Sequence, residues 1–145
     1  MEHQQYIFGG LFILANKLQI HGDKFLAADG ITLRQWLLTA VILQFNDGHP
    51  TLSEVANQMG TSHQNVRQLA NKLQERGFLM IEKDEKDARA IRLKLTEKSV
   101  DFWKKKETEN ERFMKELFRD LNEQELDFIA NGIHKLVNKI EHWPL

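Results

Sequence analysis

Between Ser62 and Asn71 the chain carries His63, Gln64, Asn65, Arg67, Gln68 and Asn71, interleaved with Val66, Leu69 and Ala70. The apolar set, continued by Leu73, recurs at helical spacing. His63, Gln64, Arg67, Gln68 and Asn71 then fall on the opposite face, with Asn65 at its rim. In the major groove of duplex DNA, arginine matches the guanine edge, and asparagine and glutamine match adenine. A plain solvated face, the simpler alternative, would favour Glu and Lys at its near end. Here that end has Gln, Asn, His and Arg, so groove contact is expected. A second group, Lys86, Asp87 and Arg89, sits in a charged stretch between two short strand-like runs. A cation on such a hairpin tip can enter a narrow minor groove, with Asp87 placed to orient the Arg89 guanidinium. Four acidic residues from Glu82 to Asp87 count against a simple basic patch. Thr51 to Thr96 nevertheless holds eight Lys+Arg against six Asp+Glu, while the whole chain is at −1.

Other chemistries find little to stand on. The absence of cysteine removes disulfides, thiol catalysis and cysteine metal sites. None of the six histidines falls in an HxxxH or HExxH pattern, and His134 and His142 are eight apart, too far to share an ion directly. Lys104-Lys105-Lys106 beside Glu107, Glu109 and Glu111 reads as a solvated face rather than a phosphate contact. No nucleophile elbow, phosphate loop or acid pair stands out, so no enzyme, cofactor or metal is expected.

The elements that must position these groups are mostly helical. The chain has 145 residues, 41% of them hydrophobic, with nine Phe and three Trp, enough for a core. Only two prolines occur, too little punctuation for an all-β protein. Ile7, Leu11, Leu14 and Leu18 mark a first helix, widened by Phe8, Phe12 and Ala15, whose apolar face needs a partner. His21-Gly22-Asp23 and Ala28-Asp29-Gly30 suggest breaks. Thr32-Leu33-Arg34-Gln35 is a capping box for a helix bearing Trp36, Leu37, Ala40, Val41 and Phe45. Thr51-Leu52-Ser53-Glu54 is a second, opening a short helix with Leu52, Val55, Ala56 and Met59 inward. Gly60 turns the chain, Ser62 caps the next helix and Gly77 stops it. Small Ala56, turning Gly60 and the apolar set around them have the spacing of a DNA-binding helix-turn-helix. Phe78 to Ile81 and the alternating Ile91 to Leu95 are strands of a hairpin. Thr96 caps a long helical region that should cross solvent from Lys104 to Arg112. Asn122 and Glu125 restart a helix striped by Leu126, Ile129, Ile133, Leu136, Val137, Ile140 and Trp143, with Leu121 placed to staple onto Leu126. The longest apolar run, Leu11 to Ala15, is far short of the about 20 residues of a membrane span. With no secretory signal at the N-terminus, a soluble cytoplasmic protein is expected.

From Ile31-Thr32-Leu33-Arg34-Gln35-Trp36 through Glu75-Arg76-Gly77-Phe78-Leu79 to Asp87-x-Arg89-x-x-x-Leu93-x-Leu95-Thr96, the chain resembles the MarR (multiple antibiotic resistance regulator) family of winged-helix transcription regulators. The fold expected is mainly α with a small β-hairpin: a DNA-binding winged helix-turn-helix over 31–96 between dimerisation helices at 1–30 and 97–145. The resemblance implies an obligate homodimer on a pseudo-palindromic double-stranded operator, acting as a repressor. It also implies a pocket for a small-molecule effector, which Phe12, Trp36 and Phe45 are candidates to line, a core role being their simpler reading. Ser99 departs from the glycine common in the family, and His63-Gln64-Asn65 is unusual there, so no operator sequence carries over. The alternative is a winged-helix protein-interaction module without significant DNA binding.

Overall fold

The computed structural model describes residues 2–144, which fall into two compact units, 2–102 and 103–144. In the first unit α1 (Glu2–Leu26) runs without interruption through His21-Gly22-Asp23, where the sequence suggests a break. The glycine serves a close approach instead. A Cβ on Gly22 would stand 2.8 Å from Leu33 Cδ1, and Asp23 Oδ1 accepts the Leu33 N–H at 2.7 Å. The second expected break is real: a 3-10 turn (Ala27–Asp29) ends at Gly30, with φ of +69°.

Helix α2 (Leu33–Leu43) begins at the expected capping box, Thr32 Oγ1 accepting from Gln35 N at 3.2 Å and Gln35 Oε1 from Thr32 N at 3.1 Å. Its buried side is Gln35, Leu38, Thr39, Val41 and Ile42. Of the set that periodicity picks out, Leu37 is exposed and Trp36, Ala40 and Phe45 are only half-buried. The helix is apolar nearly all round and packs against α1, α3, α4 and β2, so its pattern marks no single inward face.

Thr51 opens α3 (Leu52–Met59) through the second capping box, and Ser62 Oγ caps α4 (His63–Glu75) by accepting from Asn65 N at 3.1 Å. Leu38, Ile42, Val55, Ala56, Val66, Ala70, Leu73, Leu79 and Leu93 form the shared core, each at most 1% exposed. After Gly77 (φ +77°) the chain enters β1 (Leu79–Lys83), antiparallel to β2 (Ile91–Leu95) in register from Leu79↔Leu95 to Lys83↔Ile91. The first strand lies later than expected, because Phe78 is tied elsewhere: its N–H donates to Leu73 O and its carbonyl accepts from Thr96 N. A short third rung is added by Thr51, bridged to Arg92, with Leu93 N donating to Pro50 O at 2.9 Å. Thr96 Oγ1 then accepts from Ser99 N at 3.3 Å at the start of α5 (Glu97–Lys105).

The second unit takes in the end of α5, α6 (Glu107–Leu117) and α7 (Glu123–Glu141). The expected solvent crossing at Lys104 to Arg112 is interrupted at Lys106, which is 7% exposed and lies 3.2 Å from Glu109 Oε2. A lysine can bury its aliphatic stem where its ammonium finds a carboxylate. Asn122 and Glu125 form the third capping box, at 2.8 and 3.2 Å. No single helix among the described residues is long and apolar enough to cross a membrane.

Candidate nucleic-acid interface

Helix α4 holds the first group of polar residues where the apolar period puts it. Val66 and Ala70 are fully buried and Leu73 nearly so, which turns the other side of the helix to solvent. Ser62, His63, Gln64, Asn65, Gln68 and Asn71 are exposed, and Arg67 is half-buried at the flank. The Arg67 side chain makes no hydrogen bond or ion pair with a described residue. Ser62 has a structural task as the cap, and Asn65 Nδ2 donates to Thr61 Oγ1 at 2.9 Å. The far flank borders a concavity whose lining includes Arg34, Met59, Thr61, Lys72 and Glu75, so Arg34 and Lys72 bring cations beside the polar face.

The hairpin tip brings together Lys86, Asp87 and Arg89, all exposed. Arg89 is 98% exposed along its side chain. Asp87 does less for its guanidinium than expected. Asp87 Oδ1 is 4.0 Å from Arg89 Nε, but accepts the Arg89 backbone N–H at 3.0 Å. Its main hold is on the loop. The organising residue is Asp84, which sequence reasoning did not single out. Asp84 Oδ2 accepts the backbone N–H groups of Lys86 and Asp87 at 3.2 and 3.0 Å. Its Oδ1 accepts from Arg92 Nε at 2.5 Å, and Arg92 Nη1 donates to His49 O at 2.6 Å. A strut therefore runs from the tip through the strand to the loop before α3. The Arg92 hydrogen bond first, and then that from Asp87 N, hold the Asp84 carboxyl below the usual carboxylate range. An aspartate preceding a turn by two or three residues is the local signal that marks such a role.

This strut accounts for two of the four acidic residues from Glu82 to Asp87, while Glu82 and Glu85 stay exposed. Asp84 and Asp87 are engaged by backbone N–H groups and Arg92, which offsets much of the charge that would repel a phosphate. The aromatic candidates lie apart from the core: Phe12 is 62% exposed on α1, edge-on to Phe8, while Trp36 and Phe45 are half-buried.

Residues 29–90, from the 3-10 turn to the foot of β2, match the family model described as MarR family. The transcriptional repressor MprA of Escherichia coli (strain K12) is 25% identical over 129 residues, covering 88% of this chain and 73% of the repressor. A MarR/EmrR family transcriptional regulator from Acinetobacter sp. ADP1 superposes with a TM-score of 0.81 at 20% identity, over 95% of this chain and 96% of that one. MepR of S. aureus, solved as a DNA complex, superposes with a TM-score of 0.78 at 16% identity, over 92% of this chain and 97% of that one. Residues 29–90 thus match the MarR family model, and the chain resembles that family in having a helix-turn-helix, a hairpin wing and flanking helices in this order.

Proposed function

We propose that this protein is a sequence-specific double-stranded-DNA-binding transcription regulator, a homodimeric repressor relieved by a small-molecule effector. One observation carries the reading. The exposed polar face of α4, with Arg67 at its edge, shares a unit with a wing whose Arg89 extends fully into solvent. Base edges and a narrow minor groove are the partners that these two devices fit together. The relatives support it, since one is named a repressor and another was solved on DNA. Residues 31–96 are the DNA-binding domain in this reading, and 1–30 and 97–145 join two copies. The support for the dimer is exposed apolar surface. Ile7, Leu14, Ile133 and Val137 are each about half exposed, which is costly in water over so many residues. Phe12, Trp36 and Phe45 are the aromatic surface offered to an effector, and the cytoplasm is where such a regulator meets its DNA.

Selection of bound sequences from a random duplex pool, using the full chain, tests the function. Two-fold-related half-sites, with centres about one helical turn apart, are the expected product. Unselective recovery, or none, overturns sequence-specific binding and favours a protein-interaction module.

A further inference from the structure

Five carboxamide side chains lie on α4: Gln64, Asn65, Gln68, Asn71 and Gln74. The fold engages two of them. Asn65 Nδ2 donates to Thr61 Oγ1 at 2.9 Å, and Gln74 Oε1 accepts the Ile81 N–H at 2.9 Å. The other three are exposed and make no hydrogen bond with a described residue. At about 100° per residue, Gln64, Gln68 and Asn71 fall within about 60° of one another, on the side opposite the buried Val66, Ala70 and Leu73. Arg67 lies about 70° round the helix from the middle of that line.

A free carboxamide presents a donor and an acceptor side by side in one plane. In the major groove adenine alone offers the complement within a single base, its N7 acceptor beside its N6 amino donor. Guanine offers two acceptors, and cytosine and thymine one polar group each. Gln64 and Gln68 are separated by about 6 Å along the helix axis, close to two base steps, and Asn71 follows about 4.5 Å further on. We propose that α4 is an adenine-reading helix. Gln64, Gln68 and Asn71 pair with adenines within about four base pairs of each half-site, and Arg67 is not the main reader. This rests on the DNA-binding reading above and specifies its partner. The wing favours the same composition, because a fully exposed Arg89 suits the narrow minor groove of A-tracts.

The test uses the full chain and the duplexes it selects. Each contacted A·T pair is replaced by G·C and, separately, its adenine by 7-deazaadenine, which keeps base pairing and the N6 amino group but lacks N7. A G·C replacement should weaken wild-type binding by about 5- to 150-fold, and 7-deazaadenine by part of that. Gln68→Ala should abolish the 7-deazaadenine penalty at one symmetric pair of positions and leave the other penalties in place. Gln64→Ala and Asn71→Ala should do the same at their own positions. Each replaces an exposed side chain on a good helix position, and circular dichroism checks that the fold is kept. Half-sites with G·C where α4 binds, or penalties that persist in all three variants, overturn the proposal while leaving DNA binding intact. Recovery of no duplex at all overturns the DNA-binding reading, and this proposal with it.

Discussion

Gly60 closes α3 with φ of +72°, and nothing lies within 4 Å of the place a Cβ would occupy. Gly60→Ala therefore adds backbone strain without a clash. The left-handed conformation costs an L-residue about 1–2 kcal/mol, and the stiffer unfolded chain returns about 0.4–1 kcal/mol. A net loss of about 1 kcal/mol follows, and Gly60→Asn should lose less, since asparagine tolerates this region. Gly30 makes the contrast. It has φ of +69°, but its Cβ would stand 2.5 Å from Arg76 Nη1, which donates to Gly30 O at 2.7 Å. Gly30→Ala bears the same strain and displaces that hydrogen bond, a further loss of about 0.5–1.5 kcal/mol. Urea denaturation at one fixed protein concentration should rank the variants Gly60→Asn, Gly60→Ala, Gly30→Ala in order of increasing damage. A Gly60→Ala protein as stable as wild type would refute the claim that this turn is held left-handed.

The Ser99 hydroxyl is buried and has no hydrogen-bond partner among the described residues, so Ser99→Ala should raise stability by about 1–2 kcal/mol; a lower Tm would contradict this. Because the Asp84 carboxyl is held below the usual range, its contribution to the wing is complete above about pH 4 and is lost as the pH falls through its folded pKa. The protection of the Lys86 and Asp87 amides, measured against their intrinsic exchange rates, should fall only in acid, and Asp84→Asn should remove that dependence. On the selected operator, Arg89→Ala should weaken binding more than Lys86→Ala, because a guanidinium in the minor groove is held close to several phosphates; equal losses would place the wing outside the groove. Ile133→Lys, on the exposed stripe of α7, should shift the mass in sedimentation at micromolar concentration from two chains to one.

Local rules carried most of the fold. Three capping boxes, at Thr32, Thr51 and Asn122, and the glycines at 30, 60 and 77 were legible because each satisfies a backbone requirement within a few residues. What escaped was set by contacts distant in sequence. Gly22 and Asp23 look like a break until Leu33 is placed against them. The inward side of α2 could not be read because several elements cover it. The interruption at Lys106 turns on burial of a residue that composition assigns to solvent. In the site, the α4 face followed from periodicity, but Asp84 and Arg92 did not. Their pairing joins positions across the hairpin, and Arg92 also reaches back to His49. Likewise, only hydrogen bonds seen in three dimensions separate Asn65 and Gln74 from the free carboxamides beside them.

In the proposed function, α4 and the wing together bind duplex DNA by sequence. The most direct measurement is a salt titration of the wild-type full chain on its selected duplex and on a shuffled duplex of the same length and composition. Affinity should fall with salt on both, as phosphate neutralisation requires, while the selected duplex stays bound at least about 1,000-fold more tightly. Equal affinity on the two duplexes, or binding that salt leaves unchanged, would contradict it.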